Sequence, residues 1–345
     1  MEEVFLRAAD PRFGLFGAGG LDPYLADSYT QQWNLTAQKK LPANIYFDLG
    51  YVGSRGVNLT MSFDGNRPIQ VVTPGPGVPG VDARRPFRGF SRIGIAKAIG
   101  QSTYHSMQMK LERRVSRGLS FIGSWTWSHA ISNADISTVG GGFYLGGIQD
   151  IFNLRADRAD ATFDIRHRLS VALLYDLPFF REAQIPAVRT LLGGWQIGAI
   201  ITEQTGFAST LSGVGDTTGT GVGSRVSVVP GQSEKLSKRT REKWFNTAAF
   251  METPLGQFGN ASRMPIHLPG LNQVDFSAVK NFRFVERYTV QFRAEFFNFF
   301  NHVNLGAPGL NIRAPDAFGR ITGASQGPGA PNEARVIQFG LKFLF

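Results

Sequence analysis

The sequence predicts an all-β fold of about ten or eleven antiparallel strands, and three observations predict it. Apolar and polar residues alternate with a period of two along most of the chain. The connections between these stretches take turns in length, short then long. The chain ends on "RVIQFGLKFLF" (335–345), whose alternate positions are apolar up to the terminal Phe345.

The composition agrees with that class. The chain has 345 residues, 42% hydrophobic and 18% charged, enough apolar content for a sizeable core and outside the disordered range. Its 41 Gly are about 12% of residues, against ~7% in an average protein. The aromatic share is carried mostly by 29 Phe, a mixture suited to strands and turns. With no Cys, disulfides and thiolate metal sites are excluded.

The net charge is +10, but the basic pairs Arg84–Arg85, Arg113–Arg114 and Lys238–Arg239 lie far apart, so no nucleic-acid partner is predicted. No apolar run reaches about 18 residues, so no helix spans a bilayer. The opening "MEEVFLRAADPRFG" lacks the apolar stretch of a secretory signal. A protein working outside the cytoplasm is then expected to have its true N-terminus upstream.

Taken in order, the strands read as follows. Trp33, Leu35 and Ala37 oppose Gln32, Asn34, Thr36 and Gln38, because successive side chains of a strand point to opposite faces. Ile45, Phe47, Leu49 and Tyr51 oppose Asp48 and Gly50. Val57, Leu59, Met61 and Phe63 oppose Asn58, Thr60 and Ser62; whether 45–63 is one strand or a hairpin about Gly53–Gly56 stays open. Met107, Met109 and Leu111 oppose Gln108, Lys110, Glu112 and Arg114. Leu119, Phe121, Trp125 and Trp127 oppose Ser120, Ser124, Thr126 and Ser128. Leu169, Val171, Leu173 and Tyr175 oppose Arg168, Ser170 and Asp176. Val290, Phe292, Ala294 and Phe296 oppose Gln291, Arg293 and Glu295. Weaker strands are expected near 90–100, 191–205 and 272–284.

A period of two does not say which face is inside. A soluble sandwich buries the apolar face, whereas an outer-membrane barrel turns it to lipid and encloses the polar one. Connector lengths favour the barrel. Links at 116–118 and 285–288, with a moderate one at 178–190, alternate with long ones at 130–161, 206–270 and 301–334. Short periplasmic turns and long extracellular loops are the barrel rule, while unpatterned loops this long are uncommon in compact soluble domains. The long links are rich in Gly, Ser, Asn and Pro and are expected to be mobile; "GTGVGS" (219–224) is expected to be one flexible part.

A tilted membrane strand needs about 9–11 residues, which 335–345 supplies. Trp125, Trp127 and Tyr175 sit near strand ends, where an interfacial aromatic girdle would want them. A Lys or Arg facing midplane lipid costs roughly 2–4 kcal/mol, so a one-residue slip in 105–115 would be penalised and the register fixed. The fold class is therefore a transmembrane antiparallel β-barrel with long extracellular loops. The competing reading is a soluble or surface-attached all-β adhesin or carbohydrate-binding module.

The last strand resembles the signal by which the outer-membrane assembly machinery recognises its clients, carried by Ile337, Phe339, Leu341, Phe343 and Phe345. Further stretches resemble the C-terminal barrel of TonB-dependent outer-membrane receptors of the Oar-like group. They are "SYTQQWNLTAQKKLPANIYFDLGYVGSRGVNL" (28–59), "STYHSMQMKLERRVSRGLSFIGSWTWSHAIS" (102–132), "FDIRHRLSVALLYDLPF" (163–179), "LLGGWQIGAIITEQTGF" (191–207), "WFNTAAF" (244–250), "LPGLNQVDFSAVKNF" (268–282) and "VQFRAEFFNFFNHVNLGAP" (290–308). The series runs in order over 28–345.

The resemblance implies a barrel of about twenty-two strands around an N-terminal plug, energised through a TonB-contacting segment. On that basis the barrel here is partial, about 10–11 strands, with residues 1–28 an entry segment and 29–345 the C-terminal half of the barrel, without plug. The implied partners are outer-membrane lipid, the assembly machinery and the missing barrel half and plug. The TonB complex would be reached only through that missing part. The implied localisation is the cell outer membrane, and the implied function is ligand uptake without covalent chemistry or cofactor.

Candidate sites are few. Lys110, Glu112, Arg293 and Glu295 on the polar face are expected to form a lumen charge network. Asp164, Arg166, His167 and Arg168 open a strand; loop anchoring is the expected role, and a β-sheet hydrolase using Asp164 and His167 is the rival. His129 with Asp135 lacks further ligands at metal-site spacing, so no metal, catalytic or cofactor residue is assigned. Substrate contact is expected in the loops 130–161 and 206–270, with no individual residue identified.

Overall fold

The computed structural model describes residues 16–134, 148–284, 288–325 and 334–345. Its strands are β1 (Phe16–Leu21), β2 (Tyr29–Leu41), β3 (Ile45–Asp64), β4 (Phe90–Ser116), β5 (Leu119–Ser132), β6 (Ala159–Asp160), β7 (His167–Asp176) and β8 (Trp195–Gln204). They continue with β9 (Ala208–Ser209), β10 (Ser227–Val228), β11 (Phe250–Met251), β12 (Ile266–His267), β13 (Leu271–Phe284), β14 (Tyr288–Phe297) and β15 (Val336–Leu344). Nine of them follow one another across a sheet in the order β15-β14-β13-β8-β7-β5-β4-β3-β2, and β1 and β6 bring it to eleven strands.

Every neighbour pair along that path is antiparallel. The exception to the predicted antiparallel class is β1, which lies parallel to the outer part of β4. Segment 45–63 is one strand, 20 residues long as β3. The stretches near 90–100 and 105–115 are likewise continuous, forming the 27 residues of β4. A shift in pairing at Gly56–Thr60, with Asn58 at positive φ, absorbs the break that made β3 look divisible in sequence.

One end of the sheet carries tight turns. Arg117 and Gly118 between β4 and β5 both have positive φ, the geometry that matches the twist of a two-residue hairpin. The other end carries the long connections, and their described residues are packed together where mobile segments were expected. Leu211, Val226, Phe245, Ala249, Phe250, Ala261 and Ile266 form a buried apolar cluster, with Trp244, Leu310, Ile312 and Phe318 packed against it. Phe245 meets Phe250 and Phe318 edge-on, at 5.9 and 5.2 Å between ring centroids. Small ladders β10–β11 and β9–β12 stitch the same region.

The "GTGVGS" segment is pinned in the same way. The Asp216 carboxylate accepts the N–H groups of Gly221 (2.6 Å), Thr218 (3.0 Å) and Thr220 (3.2 Å), and Thr218 and Thr220 are buried. Apolar side chains scattered without period through glycine-rich loops have found one another, which periodicity cannot reveal.

Candidate functional site

The registers decide which residues share a face, since residues directly opposite in an antiparallel pair point the same way. Leu35, Tyr51, Met107, Trp127 and His167 are successive partners across β2, β3, β4, β5 and β7. Ala37, Leu49, Met109, Trp125 and Leu169 form the next row. Further along, Leu173, Ala199, Phe276, Phe296 and Ile337 continue the face to β15. The opposite rows are polar: Thr36, Gly50, Gln108, Thr126 and Arg168 are successive partners.

Among the described residues no second sheet covers the apolar face. Phe339, Leu341 and Phe343 are 67%, 68% and 70% exposed, and Phe345 is 98% exposed. Ile337 lies on the same face, opposite Phe296. A sandwich would have stacked such a face on a second sheet.

The aromatic residues take both ends of this face. Trp125 stacks on His167 at 5.7 Å, and Trp127 is two residues nearer the loop end. Tyr175 lies at the tight-turn end, opposite Leu119 and Ile197. Two groups were missed in sequence. At the loop end Tyr51 bonds His105 Nδ1 through its hydroxyl at 2.8 Å, and Trp33 packs on the same imidazole. Trp33 also covers Gly53, where a Cβ would meet the indole at 2.3 Å. At the tight-turn end Trp195 stands edge-on to Phe292, which stacks on Phe339. Strand alternation places these residues on the face, but only the registers place them at one height.

On the polar side the charged residues pair along their own strands. Lys110 meets Glu112 at 2.8 Å and Arg293 meets Glu295 at 3.5 Å, i,i+2 neighbours on one face of a strand. Arg114 also reaches Glu112 at 3.8 Å, and among the described contacts no ion pair links this group to Arg293 and Glu295. Glu112 and Glu295 both line one concavity of about 590 Å³, whose wall also carries Ile122, Leu174, Ile200 and Phe297. That apolar patch on the polar side was not signalled by the alternation.

At the loop end, ionic and hydrogen-bonded contacts join the connections to one another. Arg85 binds Asp64 and Asp82 at 2.8 and 2.7 Å, and Arg67 reaches Asp150 at 3.5 Å. The buried Gln149 accepts from the N–H of Arg225 at 2.7 Å and exchanges hydrogen bonds with Gly259. Arg263 donates to the carbonyls of Asp157 and Ser132, and Arg313 grips Glu252 through two bonds. Burial pushes the Asp157 carboxyl up despite the neighbouring Arg225.

Asp164 is buried and accepts from the N–H of Ala130 at 2.6 Å and from Arg166 Nε at 2.8 Å. It fixes the strand opening, while His167 is taken up by Trp125, so no Asp164–His167 hydrogen bond occurs among the described contacts. His129, Asp160 and Asp164 bring donor atoms within 4.8 Å of one another. Arg166 already donates to both carboxylates and contacts His129, so its guanidinium supplies the positive charge an ion would bring. His267 joins Asp160 from the long loop at 3.1 Å. Burial works to raise the Asp160 carboxyl, but hydrogen bonds from His129 and Arg166 and their charge outweigh it and hold it low. Asp135 lies outside the described residues.

An exposed apolar face, an opposite face carrying the charged pairs, tight turns at one end and interlocked loops at the other define the wall of a transmembrane antiparallel β-barrel. A family model described as "Outer membrane beta barrel domain" matches residues 9–338. The chain belongs to this family, and its place is the outer membrane. No curated protein matches it in sequence.

Among solved structures it is similar to the ferric preacinetobactin receptor BauA of Acinetobacter baumannii, at 11% identity and a TM-score of 0.43, over 92% of this chain and 29% of that one. It is similar to the ferric-catecholate import receptor Fiu of E. coli K12 at 10% identity and a TM-score of 0.42, over 97% and 30%. The outer membrane transporter YddB of Escherichia coli matches at 10% and 0.42, over 95% and 34%. The chain thus spans about a third of each of these proteins, and overlaps this loose do not bear on function.

Proposed function

We propose that this chain is the C-terminal part of the barrel of a TonB-dependent receptor of the Oar-like group, which takes up a ligand across the outer membrane without covalent chemistry. The observation that carries the reading is the open wall. Among the described residues, β2 and β15 each have one strand neighbour in the sheet path and do not pair with each other. Lipid satisfies no backbone hydrogen bond, so such edges need strands from elsewhere. In this reading Ile337, Phe339, Leu341, Phe343 and Phe345 address the chain to the assembly machinery, and Trp125, Trp127 and Tyr175 anchor it at the two interfaces. Lys110, Glu112, Arg293 and Glu295 face the plug, and the interlocked loops meet the ligand.

The test uses the absence of cysteine. Cysteine pairs placed on β2 and β15, such as Leu35→Cys with Phe339→Cys, are expected to stay unlinked when this chain is inserted alone. Each is expected to crosslink to the remaining barrel strands supplied as a second polypeptide, with energy-dependent uptake restored. Efficient β2–β15 crosslinking in the chain alone would show a self-closed barrel and remove the half-barrel reading.

A further inference from the structure

The connection between β7 and β8 is longer than the other tight-turn connections and carries five large apolar side chains in the open. Phe179, Phe180, Ile185, Leu191 and Leu192 are 61%, 54%, 62%, 59% and 52% exposed. A helix at Pro186–Leu192, opened by its proline, sets Val188, Leu191 and Leu192 at the spacing of one helical stripe, and Ile185 leads into it. We infer that this turn is a membrane-contact element lying in the inner-leaflet boundary of the outer membrane, its apolar side chains among acyl chains and its arginines at phospholipid phosphates. The inference rests on the outward orientation of the apolar face.

Three observations carry it. First, the turn is built as a rigid presenter. Leu177 N–H donates to Trp195 O at 2.8 Å, and Arg181 Nε donates to Leu177 O at 2.9 Å. Gly193 is wedged so closely that a Cβ there would lie 2.6 Å from the Phe180 carbonyl oxygen. A held patch loses little conformational freedom when it is buried.

Second, it hangs from the lipid-facing side. Trp195 Nε1 donates to the carbonyl of Leu191 at 3.0 Å while its ring continues through Phe292 to Phe339. Lys280, on the same face, donates to Gly193 O and lies over the rings of Trp195 and Phe282. The exposed patch is therefore continuous with the belt already facing lipid.

Third, the charge is of the right sign. The turn holds Arg181 and Arg189 against one acid, Glu182. Lys39 and Arg113 also fall on the apolar face towards the tight-turn end, opposite Phe47 and Ile45. Basic residues ending an apolar surface are placed for anionic headgroups. A soluble partner would need neither this continuity nor the basic border.

Single cysteines at Leu191, Glu182 and Leu341, each labelled with a polarity-sensitive dye, test it in phosphatidylethanolamine–phosphatidylglycerol vesicles with and without brominated acyl chains. Brominated lipid is expected to quench the dye at Leu191→Cys at least twofold, as at the wall position Leu341→Cys, and to leave Glu182→Cys unchanged. Quenching at 341 without quenching at 191 overturns the inference and leaves the barrel standing. Shielding of 191 that appears only on adding periplasmic extract assigns a protein partner and overturns it too. No quenching at 341 removes the membrane reading and this inference together.

Discussion

Gln149 and Gly259 hold each other across two different loops: the amide Nε2 of Gln149 donates to the Gly259 carbonyl at 3.0 Å, and its Oε1 accepts the Gly259 N–H at 3.2 Å. The same oxygen takes the N–H of Arg225 at 2.7 Å. Replacing Gln149 by Leu leaves these buried backbone groups without partners, at about 1–3 kcal/mol each. The expected outcome is faster amide hydrogen exchange across 206–270, with strand exchange in the wall unchanged. Equal protection in the variant would show that the loops stand without this link.

The face assignment makes an asymmetric prediction on β15. Leu341→Arg puts a charge against hydrocarbon and is expected to cost about 2–4 kcal/mol. Gln338→Arg, on the polar side opposite Glu295, is expected to stay within about 0.5 kcal/mol of the parent. Urea unfolding in lipid vesicles measures both. Equal costs would mean the sheet has no preferred side.

Two tryptophans report on two environments. Trp127 lies on the apolar face, whereas Trp244 packs against the loop cluster with its Nε1 donating to His267 O at 2.8 Å. In variants retaining one or the other, brominated lipid is expected to quench Trp127 strongly and spare Trp244. An adhesin-like sandwich would leave both bright.

Asp160 gives a pH dependence of definite sign. Its folded carboxyl is held below the ordinary value, because the bonds from His129 and Arg166 outweigh burial. A depressed folded value contributes stability that is present above the ordinary carboxylate pKa of about 3.9 and is lost as pH falls through the lower, folded value. The junction of β5, β6 and β12 is therefore expected to hold from pH 7 to pH 5 and to loosen only in stronger acid. Asp160→Asn should abolish that dependence. Amide exchange at Ile131 and His267 at pH 5 and below pH 4 checks it.

The wall was legible in the sequence because its cause is local. A period of two is set by the backbone, so Met107, Met109 and Leu111 could be assigned together, and i,i+2 pairs such as Lys110–Glu112 follow from the same geometry. The interlocked end was not legible. Arg225 and Asp157 are 68 residues apart and Gln149 and Gly259 are 110 apart, with no repeat to connect them. Leu211, Val226, Phe245 and Ile266 share no spacing, and their glycine-rich surroundings read as loose. Trp195 was passed over because its role depends on Phe292 and Phe339, two strands that arrive much later in the chain.

The length of β4 has one more consequence. Its 27 residues amount to roughly 90 Å of extended chain at about 3.3 Å per residue, while crossing the hydrocarbon takes only about 9–11 of them. Its apolar run, Met107, Met109 and Leu111, lies towards the tight-turn end, so most of this ribbon stands outside like a mast with the knotted loops at its top. A solute arriving from the surroundings touches protein tens of ångströms before it reaches fat.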